Sequence, residues 1–297
     1  MARRLLLAPA PEDPGDTGTG LTAMAQNSIN TNVSAYVALQ NLNSVNDRLD
    51  TIQNRVSTGL KVNSAVDDAS SFAIAQGTRG NLKAYEAVSQ GLSNARGVAT
   101  VAMSGATSIS DMLGDIQKKI TEGQNAGNST EQQSILNADF VNLVTQINTF
   151  IVNSSYNGRN LLSNASASLN VIGNVDGTTL TVRSNSAFAP TAVNLGAQNI
   201  SSTVAATKAI SALFLAVTSI NSVLGNLGAD TRTLNNQDIF ISKLVDATLE
   251  GLGSIVDADM AQESARLQAL QVQQQLSVQT LGIANQRPQV LLSLFRG

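Results

Sequence analysis

The sequence predicts a mainly α fold, a long antiparallel helical coiled-coil rod with a small β-hairpin region. Two apolar seams and one change of period carry this prediction. The first seam runs from Tyr85 to Ile120 in alternating steps of three and four residues, and a second one runs from Ala206 to Val245. A sustained repeat of 3.5 residues is typical of a helix that keeps one seam against a partner helix. The first seam spans about 50 Å of helix, so its partner must be of similar length.

The two seams are expected to pair with each other and with a third helix, whose apolar stripe runs from Leu136 to Phe150. Ser129-x-x-Gln132, ahead of that stripe, resembles a capping box, and Thr130-x-x-Gln133 offers an alternative one. Together these seams predict the core of the rod. Its expected members are Tyr85, Leu92, Ile109, Leu113, Ile116, Ile120, Leu213, Val217, Ile220 and Leu224.

The period changes between residues 169 and 184. Leu180 and Val182 alternate with polar residues, as in a half-buried strand, and Asp176-Gly177 predicts a tight hairpin turn. Asn157-Gly158 predicts a further turn after the third helix. Residues 185–202, which contain Pro190, are expected to form a loop.

A helix is predicted at each end of the chain, and both share an unusual distribution of apolar residues. The first, from Ile29 to Val56, carries a seam but also apolar residues off that seam. The last, at about 258–286 and expected to end at Pro288, carries one face with Ala265, Ala269, Val272, Leu276 and Ile283, and another with Leu267, Leu270 and Leu281. A two-helix pair buries one stripe per helix, so the remaining apolar surface is expected to need other subunits.

Composition excludes several classes of function. The chain has 297 residues, of which only 13% are charged, with a net charge of −3 and no Cys, His or Trp. Disulfides, thiolate or imidazole metal sites and His-based triads are therefore excluded, and no basic footprint for nucleic acid exists. No stretch approaches the ~18 apolar residues of a membrane span, so no membrane insertion is expected. Asp67 and Asp68 are expected to cap a helix, and no enzyme activity or cofactor is predicted.

Residues 1–23 differ from the rest of the sequence. Pro and Gly cluster there, and the apolar patch after Arg3 and Arg4 is shorter than the hydrophobic segment of a signal peptide. We expect a disordered extension, with Met24 as a more natural start.

Several short motifs stand near the two ends of the sequence. The first half contains SINTN at 28–32, RVSTGLKVNSA at 55–65 followed by DD at 67–68, and YNG at 156–158 with LL at 161–162. The second half contains DADMA at 257–261, ESARLQ at 263–268, IANQ at 283–286 and LSLFR at 292–296. In this order they resemble bacterial flagellin, particularly the short alphaproteobacterial type, over essentially all of the chain from Met24 onward.

The resemblance implies a domain layout and an assembly surface. Residues 24–67 and 257–297 would form the terminal coiled-coil domain D0, and residues 68–256 the helical D1 rod, with outer domains absent or reduced to the hairpin region. Subunits would polymerise through their terminal helices. The implied assembly residues are Ile29, Val33, Leu42, Val45, Leu49, Ile52, Val56, Leu267, Leu270, Leu276, Leu281, Ile283, Leu294, Phe295 and Arg296.

The resemblance also implies partners and a location. The chain would form a homopolymeric filament for swimming motility, contact flagellar hook-associated and cap proteins, and bind a flagellar export chaperone. It would be secreted through the flagellum-specific type III apparatus into the extracellular flagellum. Two alternatives stay open at this point: a hook–filament junction protein, and a surface adhesin that binds polysaccharide. With aromatic residues at only 3%, stacking platforms for sugars are scarce.

Overall fold

The computed structural model describes residues 31–163, 167–186 and 188–294, so the extension predicted for residues 1–23 lies outside the described residues. Long helices dominate these segments, and the strands are short. The helices are α1 (Val33–Thr58), α2 (Ala69–Gly123), α3 (Thr130–Asn153), α4 (Phe188–Gly196), α5 (Thr203–Val256) and α6 (Met260–Leu294). The strands are β1 (Ser155–Tyr156), β2 (Arg159–Asn160), β3 (Leu169–Ile172) and β4 (Thr179–Val182).

The chain divides into two compact units. The terminal unit joins the described residues up to Ala73 with those from Ile255 onward, and the central unit spans Ile74–Ser254. The terminal unit therefore brings together segments from the two ends of the sequence, whereas the central unit is continuous.

The central unit has one hydrophobic core, to which α2, α3, α4, α5 and both hairpin regions contribute. The middle of α2 supplies Ala99, Ala102 and Ala106, all with no exposed surface, while Phe140 and Ile147 of α3 fill space in the same core. Small side chains on one helix let its neighbours approach closely, and larger ones fill the remaining volume. This arrangement explains why the α2 seam mixes alanines with long aliphatic residues.

Polar contacts fix the elements of the central unit around this core. Ser89 Oγ of α2 donates a hydrogen bond to Asp238 Oδ1 of α5 at 2.9 Å. Lys119 Nζ of α2 lies 3.2 Å from Asp139 Oδ2 of α3, and this pairing raises the pKa of Lys119. Arg183, just after β4, lies 2.8 Å from the buried Asp230 of α5, whose hydrogen bonds raise the pKa of Arg183.

Two hairpins follow α3. Asn157 and Gly158 connect β1 to β2 with φ angles of 49° and 73°, which are the left-handed values that a two-residue hairpin turn requires. β3 pairs antiparallel with β4, Leu169 opposite Val182 and Ile172 opposite Thr179. The turn of this second hairpin is longer than predicted. Gly177 N donates to Asn174 O at 3.1 Å, which closes a four-residue turn with Gly177 at φ 81°.

Residues 185–202 do not form the continuous loop that was predicted, because α4 lies within them. Pro190 occupies the first turn of α4. The backbone N–H groups of a first turn have no partner within the helix, so proline causes no loss there. The apolar residues Phe188 and Leu195 are fully buried in the central core and hold this short helix in place.

The last helix also departs from the prediction, because α6 continues through Pro288 to Leu294. Proline lacks the N–H that would bond the carbonyl of Ala284, four residues earlier. The side chain of Asn32 replaces that donor, since its Nδ2 donates to Ala284 O at 2.8 Å. A substitute hydrogen bond thus offsets part of the cost of proline inside the helix.

The expectation that no segment approaches a membrane span needs correction. By length and composition alone, Thr130–Asn153 and Thr203–Val256 are apolar enough to cross a membrane. One stripe of each helix is buried in the core of the central unit, with Phe140 and Ile147 on the first and Leu213 and Ile220 on the second. Their hydropathy reflects that core stripe together with exposed apolar residues such as Phe214.

Candidate functional site

The pair formed by α1 and α6 is the candidate functional site, because both predicted assembly segments lie in it. The two helices pack against each other in antiparallel orientation, over α1 and the part of α6 up to Ala284. On α1 the packed residues follow steps of three and four, as in a coiled coil. They are Ala38, Val45, Leu49 and Ile52, which are buried, and Leu42 and Val56, which are half-buried.

The stripe of α6 that faces this seam is of mixed polarity. It starts at the buried Glu263 and ends at the buried Ala284, with half-buried positions between them in the same alternating steps. Two of those positions are polar, Gln274 and Ser277, and three are the leucines Leu267, Leu270 and Leu281. The sequence had singled out these leucines as a second face. The polar members of the stripe were missed, although counting by threes and fours from Glu263 finds all of them.

The other apolar face of α6 points away from the pair. Val272 and Leu276 are each 56% exposed and Ile283 is 69% exposed, while Ala265 and Ala269 on the same face are exposed as well. On α1, Tyr36 and Val37 are 67% and 51% exposed. Each helix therefore uses one face for its partner and presents a second apolar face that the described residues do not cover.

Four polar contacts cross the pair at intervals. The first joins the segments just after α1 and just before α6, where Ala258 N donates to Gly59 O at 2.9 Å. Moving from there toward the N-terminus of α1, the others are Arg55 Nη1 to Glu263 Oε1 at 3.7 Å, Gln274 Nε2 to Asn46 Oδ1 at 2.7 Å, and Asn32 Nδ2 to Ala284 O at 2.8 Å. Each step along α1 toward the N-terminus is matched by a step of similar length along α6 toward the C-terminus. The contacts therefore all belong to one antiparallel register.

The ends of the helices are capped by polar side chains. Asn32 Oδ1 accepts from Ala35 N at the start of α1, and Gly59 closes α1 at φ 72°, a left-handed value that favours glycine. Asp259 Oδ1 accepts from Ala261 N and Gln262 N at the start of α6. In the central unit, Ser129 and Gln132 form the first of the two predicted capping boxes.

The two acidic residues before α2, Asp67 and Asp68, have structural roles. Asp68 Oδ1 accepts hydrogen bonds from Ser70 N and Ser71 N, which confirms its predicted capping of α2, and the Ser71 hydroxyl and amide lower the pKa of Asp68. Asp67 instead bonds back to the turn before it. Its Oδ2 accepts from Ser64 N at 2.9 Å, and the bonds from Ser64 lower its pKa. Among the described residues, no group of three or more acidic side chains could hold a metal ion.

The predicted assembly residues fall into three groups in the structure. Val45, Leu49 and Ile52 are buried in the α1–α6 seam, and Leu42, Val56, Leu267, Leu270 and Leu281 are half-buried along it. Val33, Leu276 and Ile283 are exposed. Ile29, Phe295 and Arg296 lie outside the described residues, and Leu294 is described by its backbone at the end of α6.

The residues predicted for the rod core lie together in the central unit. Its core contains Leu92, Ile109, Leu113, Ile116, Ile120, Leu213 and Ile220, and Tyr85, Val217 and Leu224 pack against it half-buried. These residues therefore belong to a different unit from the terminal helix pair.

Comparison with known proteins identifies the family. The model of the bacterial flagellin N-terminal helical region matches residues 29–167, and that of the C-terminal helical region matches residues 210–295. The chain belongs to the flagellin family. Flagellin FljO of Caulobacter vibrioides is 37% identical over 276 residues, which cover 92% of this chain and 100% of that protein. A flagellin of Brucella melitensis is 37% identical over 288 residues, covering 91% of this chain and 99% of that protein.

Among solved structures, Bacillus cereus flagellin aligns with 50% of this chain and 87% of its own at 18% identity, with a TM-score of 0.46.

Membership of the flagellin family establishes the function of the chain. Flagellins form the extracellular filament of the bacterial flagellum, so this chain is a structural subunit that self-assembles into that filament for swimming motility, and it is not an enzyme. This outcome favours the filament subunit over the junction protein and the adhesin that the sequence left open.

Proposed function

We propose that this flagellin polymerises through its terminal unit, and that the apolar faces left outside the α1–α6 pair bind neighbouring copies. The observation that supports this proposal is that the more apolar face of α6 is not the face that packs against α1. The face with Val272, Leu276 and Ile283 is exposed, while a stripe containing Glu263, Gln274 and Ser277 packs against α1. Exposed contiguous apolar surface is typical of a protein–protein contact.

In this proposal the predicted assembly residues divide into two roles. Those in the seam, such as Leu49 and Ile52, build the helix pair. Those outside it, such as Val33, Leu276 and Ile283, contact other copies directly. Completing the burial of one half-exposed Leu or Ile contributes about 1 kcal/mol, and this small gain recurs on every subunit of the polymer. Ile29, Leu294, Phe295 and Arg296 are included on the strength of the family resemblance.

The domain layout is part of the proposal. Residues 24–67 and 257–297 would form the inner layer of the filament, and residues 68–256 the D1 domain. The division of the structure into a terminal and a central unit supports this layout. A heterologous contact that does not close on itself generates an open helical polymer, which is what a filament requires.

We further propose that the chain is secreted through the flagellum-specific type III apparatus, and that an export chaperone, hook-associated proteins and cap proteins bind it. The family resemblance and the exposed apolar faces of the terminal helices support these partners, because exposed apolar surface on an unassembled subunit favours aggregation unless another protein binds it. In cells lacking the flagellar export apparatus, the protein should stay in the cell pellet. Its appearance in the culture medium of those cells would contradict the export route.

The decisive test of assembly introduces charge on the exposed face of α6. Leu276→Asp with Ile283→Asp should abolish filaments, because each new carboxylate would be buried against a neighbouring copy without a partner. The matched control is Gln268→Asp with Gln275→Asp, which has the same spacing of seven residues and the same added charge on a different exposed face. Negative-stain electron microscopy after seeding measures filament formation, and circular dichroism checks the helix content.

The two double variants separate the proposal from a general effect of charge. We expect filaments from the control and none from Leu276→Asp with Ile283→Asp, at equal helix content. Normal filaments from the second variant would show that this face of α6 is not an assembly surface.

A further inference from the structure

We propose that Glu263 and Arg55 set the register of the two terminal helices, so that every subunit presents its outer apolar faces in the same arrangement. Glu263 is a positioning residue in this role. It acts on the filament through the alignment of α6 against α1, and it need not contact another subunit. The known activity of the chain is assembly; the proposal concerns what aligns the parts that assemble.

The first observation is the burial of a charge inside the helix pair. Glu263 is 4% exposed and occupies the first position of the α6 stripe that packs on α1. Its Oε1 lies 3.0 Å from Arg266 Nη1 and 3.7 Å from Arg55 Nη1. Arg266 is on the same helix, three residues away, so it neutralises Glu263 in any register. Arg55 is on α1, so its contact depends on the alignment of the two helices.

The second observation is that this cluster is poorly suited to a purely stabilising role. Among the described residues, Glu263 Oε2 and Arg55 Nε are buried without a hydrogen-bond partner. Arg55 itself is half-buried. Burying a charge such as that of Glu263 costs several kcal/mol, and an incompletely bonded pair recovers this cost only in part. Buried polar groups in helix pairs are best attested as determinants of register, which suits a cluster that contributes little net stability.

The third observation is that the apolar part of the seam does not define the register by itself. Aliphatic residues recur every three or four positions on α1, so a shift of one heptad would again place aliphatic residues against α6. Such a shift moves the helices by about 10 Å along their axes. The polar contacts do distinguish the registers. A shift in either direction would place Asn46 near Leu267 or near Leu281, in place of Gln274.

The sequence also contains a competitor for the carboxylate. Arg48 lies one heptad before Arg55 on α1 and is exposed. If α6 moved by one heptad toward the N-terminus of α1, Glu263 would meet Arg48 and Asn46 would come opposite Leu267. The proposal therefore predicts a direction: loss of Arg55 should favour the register in which Arg48 replaces it.

The test uses cysteines, because the chain has none of its own. Three reporter chains carry Asn46→Cys with Gln274→Cys, with Leu267→Cys or with Leu281→Cys, and a short thiol-specific cross-linker measures which pair is close. The reporters are polymerised with an excess of cysteine-free chains, so that cross-links form within one subunit. Each reporter also removes the Asn46–Gln274 hydrogen bond. The register-dependent polar contacts that remain are the Arg55–Glu263 pair, the Asn32–Ala284 bond and the Ala258–Gly59 bond, and the variants change the first of these alone.

The variants are Arg55→Leu and, as a matched control, Arg48→Leu, which makes the same change one heptad away on the same helix. In the parent and in Arg48→Leu we expect cross-links almost entirely between positions 46 and 274. In Arg55→Leu the 46–267 cross-link should rise several-fold at the expense of 46–274, while 46–281 stays low.

Three results would overturn the proposal. The first is a parent without a preference for the 46–274 pair. The second is an Arg55→Leu chain that cross-links like the Arg48→Leu control. The third is an Arg55→Leu chain that never enters filaments, since the proposal leaves it a fraction in the native register that can assemble. Filament formation by the parent, read separately by electron microscopy, distinguishes these results from a failure of assembly itself.

Discussion

The central unit buries stripes from several helices and hairpins in a common core, whereas the terminal unit buries one stripe per helix within a single helix pair. In the centre, Leu92, Ile109 and Ile116 are at most 1% exposed. At the ends, Leu276 and Ile283 are more than half exposed, and the face of α6 that is enclosed carries a carboxylate. The two units use the same helical periodicity, but the central unit encloses a core built from several elements. Large apolar side chains are exposed in both units, for example Phe214 in the central unit and Ile283 in the terminal unit.

The largest expected effect comes from removing α6, one of the two helices of the terminal unit. Deletion of residues 260–297 should abolish polymerisation and leave the central unit folded, because no described side chain of α6 belongs to the core of that unit. Electron microscopy should show no filaments, and circular dichroism should show a helical protein with a cooperative thermal transition. Filaments from this truncation would contradict the assembly role of the terminal unit.

The next prediction contrasts a core residue with an exposed one. Phe140→Ala leaves a cavity in the fully buried core and should lower the free energy of unfolding of the central unit by about 3–5 kcal/mol. Ile283→Ala, on the exposed face of α6, should change the free energy of unfolding of the terminal unit by less than about 0.5 kcal/mol in the unassembled chain. Urea denaturation followed by circular dichroism measures both. Equal effects would mean that the exposed face is already packed in the monomer.

Substituting alanine for each of two glycines in α2 should change the stability of the central unit by intermediate amounts of opposite sign. A Cβ at Gly105 would overlap Ser154 Oγ, while a Cβ at Gly114 would meet no atom within 4 Å. Gly105→Ala should therefore destabilise the central unit by about 1–3 kcal/mol, because Ser154 and the chain after α3 must move. Gly114→Ala should stabilise it by about 0.5–1 kcal/mol, since alanine is the better helix former.

The midpoint of thermal unfolding should fall for Gly105→Ala and rise for Gly114→Ala. A rise for both variants would show that the segment after α3 is not packed closely on α2.

The smallest effect concerns the acid titration of Asp68. The pKa of Asp68 lies below its ordinary value near 3.8, chiefly because Ser71 Oγ and then Ser71 N donate hydrogen bonds to it. A depressed carboxyl pKa adds stability that is complete above the unfolded value and is lost as the pH falls through the folded value. Ser71→Ala should raise the pKa of Asp68 toward 3.8 in a carboxyl NMR titration, and the control Ser57→Ala should leave it unchanged.

The sequence predicted the helical seams well, because a repeat of 3.5 residues over this length allows few other structures. It also predicted Asp68 as a cap and the Ser129–Gln132 capping box, since both depend on residues close together in the chain. It did not predict α4 or the continuation of α6, because a proline by itself indicates a loop or the end of a helix. In both cases the consequence of proline depends on its place. Pro190 is in a first turn, and the carbonyl that Pro288 leaves free is bonded by Asn32, more than 250 residues away in the chain.

The sequence by itself determined that the terminal helices are apolar on two sides, and it identified both faces of α6. Only the tertiary structure decided which face meets α1. The stripe with Glu263, Gln274 and Ser277 packs against α1, although the other face is more apolar. The reason is that Arg55, Asn46 and Asn32, on or beside α1, lie where they can bond groups on that side of α6. The pattern of apolar residues along a sequence indicates how much apolar surface is stabilised by burial. The polar partners brought in from the other end of the chain decide which surface is buried within the subunit and which remains outside it.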